Sequence, residues 1–220
     1  MAPAVDLSQA VSLAGSYPLL AGVDLQLGSG ELLLLEGENG SGKTSVLRLL
    51  AGLLPITSGT GTVLGVDLAT EARSLRRRVG LVGHQAGLYA QLSVRENVAF
   101  QVAAAHGDVA RVDPAIHRVG LDARSEVSAA QLSAGQRRRA ALAIAIARAP
   151  ELWLLDEPEA GLDVAGRAIL AELLDELADL KVPVVIAAHE TAGLVRQVHH
   201  RVRMAGGVAG SPEPGGRRAA

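Results

Sequence analysis

The chain has 220 residues, 49% of them apolar and 20% charged, with a formal net charge of −2 and no cysteine. That is ample apolar content for one domain with a core, and it excludes disulfides and thiolate metal sites. One tryptophan, two tyrosines and one phenylalanine in a near-neutral chain argue against the basic stripes and stacking platforms of a nucleic-acid surface, so nucleic acid is not an expected partner.

The longest uninterrupted apolar stretch, Ala140 to Ala147, lies between Arg139 and Arg148 and is too short to span a bilayer, so no direct membrane span is expected. The first basic residue is Lys43. The N-terminal stretch therefore lacks the charged start of a secretory signal, and a cytoplasmic location is expected.

Val5 to Leu27 alternates apolar and polar residues around turn signals at Gly15 and Ala21-Gly22, which predicts antiparallel strands packed on one face. Glu31 to Glu36 is a short apolar run of the buried-strand kind, and Lys43 to Leu54 carries helix formers. Between them, Gly37-Glu38-Asn39-Gly40-Ser41-Gly42-Lys43-Thr44 fits the phosphate-loop pattern G-x-x-x-x-G-K-[ST] at every fixed position. The glycines permit backbone conformations that bring successive amides around phosphate oxygens, and the new helix adds its positive end. Lys43 is expected to reach the β- and γ-phosphates and Thr44 to ligate Mg²⁺.

Val79 to Val82, Leu152 to Leu155 and Val182 to Ala188 are further buried-strand candidates, apolar throughout as in a parallel sheet covered on both faces. From about Leu88 to Arg148 the patterns are helical, near Val94 to Ala105 and Ala134 to Arg148, and predict an inserted helical lobe. Asp163 to Leu180 is a helix with Ile169, Leu173, Leu177 and Leu180 at helical spacing. The expected organisation is one domain over 1–206, with an α/β core at 1–87 and 149–206 and a helical lobe at 88–148. Residues 207–220, rich in proline and glycine, are expected to be a disordered tail.

Leu152-Trp-Leu-Leu-Asp156-Glu157 ends an apolar strand in two carboxylates, where a parallel strand would meet a phosphate loop. Asp156 suits Mg²⁺, directly or through water, and Glu157 is placed to orient the water that attacks the γ-phosphate. Ser133 and Gln136 in Leu132-Ser-Ala-Gly-Gln136 fit a capping box.

With these motifs in this order, the chain resembles the ATP-binding cassette (ABC) ATPases over about Ala4 to Gly206; their signature Leu-Ser-Gly-Gly-Gln is departed from only at Ala134. The resemblance implies a phosphate-loop NTPase (RecA-like) core with an N-terminal antiparallel β-layer, and ATP and Mg²⁺ bound by residues 37–44 and Ser45. It assigns adenine stacking to Tyr17, a Mg²⁺-contacting loop to Gln85, and a γ-phosphate contact to His189. It further implies a second ATPase subunit in a head-to-tail pair, identical or not, in which Ser133, Ala134, Gly135 and Gln136 face the partner's ATP and Asp163 faces the other subunit. A polytopic membrane permease is the implied partner, with this chain peripheral on the inner face of the plasma membrane.

Gly83-His-Gln-Ala-Gly-Leu88 and Leu92-Ser-Val-Arg-Glu-Asn97, together with Leu-Ser-Ala-Gly-Gln, are similar to the ATP-binding subunit of the haem exporter used in cytochrome c biogenesis. Drug, lipid and ion exporters share much of this wording. ABC ATPases of DNA repair or translation need a coiled-coil insertion or two cassettes with a charged linker, and this chain has one cassette and no heptad run.

Overall fold

In the computed structural model, which describes residues 2–83, 87–189 and 198–214, the elements follow the chain as β1 (Val5–Ala14), β2 (Tyr17–Leu27), β3 (Leu32–Glu36), α1 (Lys43–Leu50), β4 (Ser58–Val63), β5 (Val66–Asp67), α2 (Leu75–Arg78), β6 (Val79–Val82), α3 (Val94–Ala104), α4 (Val112–Arg118), α5 (Ala134–Arg148), β7 (Leu152–Asp156), α6 (Val164–Asp179), β8 (Val184–Ala187), β9 (His200–Ala205), β10 (Val208–Ala209) and β11 (Glu213–Pro214).

The N-terminal layer is an antiparallel sheet in the order β2-β1-β4-β5. Gly15 makes the β1–β2 turn with φ 62. Ala21-Gly22, expected as a second turn, lies instead inside β2. There the register steps from Ala10↔Val23 to Val11↔Ala21, so the extra residue is a bulge at Gly22, whose φ is 93, and a bulge draws on the same glycine freedom as a turn. β4, a Ser-Gly-Thr-Gly-Thr-Val segment of low strand propensity, pairs along β1; tertiary pairing overrides composition there.

β6, β7, β8, β3 and β9 form a parallel sheet in that order, and β10 and β11 return antiparallel to β9. The apolar runs lack alternation because each strand feeds two cores. Leu32, Leu34, Trp153, Leu155, Val184 and Ile186 enter the core shared with α3 to α6. Their neighbours Leu33, Leu35, Leu152, Leu154, Val185 and Ala187 enter the core shared with α1 and the antiparallel layer. Successive side chains point to opposite faces, so both sets must be apolar. α1 buries Val46, Leu47, Leu49 and Leu50 because this second core holds residues of both sheets around it.

Between β6 and β7 the described residues form helices and 3₁₀ turns without a strand. α5 starts at a complete capping box: Ser133 Oγ accepts from the Gln136 amide at 3.2 Å and Gln136 Oε1 from the Ser133 amide at 2.9 Å. α6 presents Leu170, Leu173, Leu174 and Leu177 to the core, whereas Leu180 is 65% exposed. The expected stripe holds at Leu173 and Leu177, with Ile169 partly buried against the same core, and fails at Leu180, the helix's C-cap residue.

Of the expected disordered tail, 215–220 lie outside the described residues, and 207–214 differ from expectation. After β9 the chain turns at Gly206-Gly207, φ 57 and 80, and Val208–Ala209 and Glu213–Pro214 pair with β9. Low apolar content does not prevent packing here, because the open edge of β9 supplies backbone partners. Among the described residues no helix is long and apolar enough to cross a membrane.

Candidate functional site

β3, β7 and β8 deliver three short segments to the carboxyl edge of the parallel sheet, with β8 between the other two. The glycine-rich loop follows β3, Asp156 ends β7, and His189 stands two residues beyond β8. In open α/β sheets this edge is where ligands bind.

The loop is shaped by its glycines and by Lys43. At Gly37, φ is 151, and a Cβ there would stand 2.4 Å from the Met204 carbonyl oxygen and 2.7 Å from Ser41 Oγ. Gly42, φ 108, caps α1. Lys43, 6% exposed, donates from Nζ to the carbonyls of Gly37 (2.7 Å) and Glu38 (3.0 Å). Its ammonium thereby closes the loop into a ring with positive charge at its centre and the first amides of α1 at its rim.

Across from the loop, Asp156 is 7% exposed and accepts a 2.9 Å hydrogen bond at Oδ2 from Thr44 Oγ1. Glu157 follows in a left-handed conformation, φ 47, with its amide donating to the Ala187 carbonyl at 2.8 Å. His189 Nε2 lies 2.5 Å from Asn39 Oδ1 and 3.9 Å from Glu157 Oε1. Strand neighbours thus bring together groups that the sequence keeps more than a hundred positions apart.

A cleft of about 740 Å³ is lined by Tyr17, Asn39 to Ser45, Asp156 and Glu157, and His189 stands beside it through its contacts with Asn39 and Glu157. Tyr17 is 75% exposed at its mouth. Gly206 and Gly207 line it too, and sequence reasoning missed them by ending the domain at Gly206 and assigning Gly207 onward to a tail. The Gly207 amide donates to the Ser41 carbonyl at 3.0 Å, and the Gly207 carbonyl accepts from the Ala21 amide at 2.9 Å, so this turn joins the loop to β2. The usable signal was the alternation of Val202 and Met204 ahead of a Gly-Gly pair, a hairpin pattern.

Other expected site residues stand elsewhere. Ser133, Gly135 and Gln136 form the start of α5 and do not line the cleft. Asp163 caps α6 by accepting from the Gly166 amide at 2.8 Å, and its other oxygen lies 3.5 Å from Arg139 on α5. Gly135 packs against this corner, where a Cβ would meet the Gly161 carbonyl at 3.2 Å. Gln85 lies outside the described residues.

Residues 20–160 match a family model described as ABC transporter. The chain is 42% identical over 165 residues, 74% of its own length and 80% of the other's, to the cytochrome c biogenesis ATP-binding export protein CcmA of Methylococcus capsulatus. It is 40% identical over 171 residues, 77% and 81% of the two lengths, to the protein of that name from Pseudomonas putida. A dimeric ATP-binding cassette solved in a post-hydrolysis state with ADP and Pi is similar in fold, with a TM-score of 0.85 at 24% identity over 96% of this chain and 98% of that one. An ATP-binding subunit of an ABC transporter gives 0.87 at 22% identity, over 96% and 89%.

Proposed function

Because the chain belongs to the ABC transporter family, and is an ATPase subunit of that family, we propose that it drives export for cytochrome c biogenesis through a separate polytopic membrane protein, with haem as the exported group. The observation that carries the reading is the cleft itself, where the phosphate loop faces Asp156 and Glu157 across one space. The identity to proteins named for cytochrome c biogenesis, over most of their length, supports the narrower assignment.

In this reading ATP lies along the loop with its adenine against Tyr17. Residues 37–45 surround the β- and γ-phosphates with amide donors, and Lys43 neutralises their charge. Thr44 Oγ1 and Asp156 Oδ2, 2.9 Å apart at the loop, are hard oxygen donors of the kind Mg²⁺ takes alongside phosphate and water, so the residues fit that ion. Bound there, Mg²⁺ supplies charge neutralisation for the transferred phosphoryl group. Glu157 accepts a hydrogen bond from the attacking water and orients it, and His189, near both Asn39 and Glu157, donates toward the γ-phosphate. Gln85 belongs to the same proposal through its place after β6.

Ser133, Ala134, Gly135 and Gln136 stand outside their own cleft, which supports a head-to-tail pair in which the helix start of one subunit covers the ATP of another, with Asp163 at the contact. ATP then closes the pair and loss of the γ-phosphate releases it. The pair would work on the inner face of the membrane.

Affinity isolation of the chain from gently solubilised membranes of its own cell tests the proposal. A polytopic membrane protein in stoichiometric amount, accompanied by haem-handling proteins, is expected. Recovery with ribosomes, with DNA-repair proteins or alone would overturn the transport reading.

A further inference from the structure

Arg138 belongs to the second turn of α5 and is only 5% exposed, yet its polar partners are backbone carbonyls. Nη2 donates to the carbonyls of Asp156 at 2.8 Å and Glu157 at 2.9 Å, and Nη1 donates to the Gly83 carbonyl. Burial pushes the guanidinium below its ordinary value, and the nearby charges of Asp156 and Glu157 oppose that fall.

The carbonyls it holds bracket the one non-glycine residue, among the described residues lining the cleft, whose backbone is in the left-handed region. Glu157 is in the left-handed region at φ 47, where a Cβ crowds the following carbonyl. Such a conformation persists when its surroundings over-determine it. Here the Glu157 amide is tied to Ala187 at 2.8 Å, and the carbonyls on either side of its φ and ψ are tied to one planar guanidinium nitrogen. The Gly83 contact lets the same side chain fix the end of β6 against the end of β7. A fork of five donors can make this set of bonds at once; an ammonium on a flexible stem cannot reproduce it.

We propose that Arg138 is a positioning residue for hydrolysis: by holding the Asp156 and Glu157 carbonyls it keeps Glu157 in its left-handed conformation, with the carboxylate directed into the cleft beside His189. The inference rests on the reading of Glu157 as the water-orienting carboxylate. It predicts an effect on turnover rather than on ATP binding, since Arg138 does not line the cleft and the carbonyls it holds, of Gly83, Asp156 and Glu157, lie outside the phosphate loop.

The test compares the full chain with Arg138→Lys, Arg138→Gln, Glu157→Gln and the Arg138→Gln/Glu157→Gln double variant, measuring kcat, KM, ATP affinity and melting temperature. Arg138→Gln is expected to lower kcat by about a hundredfold, the usual penalty for a misplaced reacting group, with ATP affinity within about twofold of the parent. Arg138→Lys, which keeps a charged donor, should recover part of the loss. The double variant should be no slower than Glu157→Gln alone, because groups that act as a unit are not additive.

Parent-like kcat in Arg138→Gln overturns the inference. So does a parallel fall of kcat, ATP affinity and melting temperature with no recovery in the Lys variant, which would leave Arg138 a purely structural role. Should Glu157→Gln itself keep its turnover, the reading of the carboxylate fails; should it stop turnover while Arg138→Gln does not, only this inference fails.

Discussion

Thr44 and Asp156 stand 112 positions apart, yet Thr44 Oγ1 donates to Asp156 Oδ2 over 2.9 Å. The bond joins the first turn of α1 to the end of β7 and sets two hard oxygens side by side, facing the cleft. Replacing Thr44 by valine keeps the shape and removes one oxygen. We expect Thr44→Val to need about tenfold more Mg²⁺ for half-maximal hydrolysis, since Mg²⁺ binds few protein oxygens and misses each one. A Mg²⁺ titration of the ATPase rate checks this, and an unchanged midpoint would remove Thr44 from the metal's shell.

Lys43 closes the loop on the Gly37 and Glu38 carbonyls. Lys43→Ala removes both the ring closure and the charge that meets the phosphates, so ATP affinity should fall by at least about tenfold, as expected for a lost charge-assisted contact. Calorimetric titration with ATP reads it directly. Normal affinity would undercut the phosphate-loop assignment.

Glu157 has its carboxylate 3.9 Å from His189. Glu157→Gln preserves size and hydrogen bonding but removes the charge that orients water, so it should bind ATP, lose turnover by about a hundredfold or more and accumulate as an ATP-bound dimer. Size-exclusion chromatography with and without ATP separates the outcomes, and a variant that turns over at the parental rate removes Glu157 from this role.

Gly37 tolerates no side chain, because a Cβ would sit 2.4 Å from the Met204 carbonyl oxygen. Gly37→Ala must displace either the loop or β9, and we expect a loss of about 2 kcal/mol or more of stability from the clash and the φ of 151 together. Chemical denaturation measures it. A parental unfolding midpoint would show that the loop relaxes freely.

Arg78 and Glu151 form a two-bond ion pair at 2.7 Å in each bond, tying α2 to the entry of β7. The Arg78 hydrogen bond holds the Glu151 carboxyl below its ordinary value, against the opposing effect of burial. A depressed carboxylate stabilises the fold above its unfolded pKa and loses that stabilisation as pH falls through the folded value. Both side chains are substantially exposed, so Glu151→Gln should cost only about 0.5–1 kcal/mol at neutral pH. The difference from the parent should close as the solution is acidified below the carboxylate range; a gap that stays constant down to acid pH would show that the charge contributes nothing.

Much of this molecule is legible without coordinates where the governing interactions are local. The Gly37 to Thr44 pattern specifies its own backbone, because the glycines, Lys43 and the start of α1 all lie within eight consecutive residues. The Ser133–Gln136 capping box is likewise settled between residues three apart. Ala21-Gly22 was misread because a bulge and a turn make the same demand on glycine, and only the partner strand distinguishes them. The stripe on α6 was misread at its end because the helix stops at Asp179, one residue short of Leu180.

The amino-acid sequence by itself determined that there is a phosphate loop, an apolar strand ending in two carboxylates and an α/β core, since each is written in contiguous residues. The tertiary structure alone decided that β8 runs between β3 and β7, that Gly206 and Gly207 belong to the cleft, and that Arg138 holds the left-handed Glu157. Those facts depend on which strand edges and carbonyls become neighbours after the chain closes, and no local pattern of side chains encodes partners on another element of the chain.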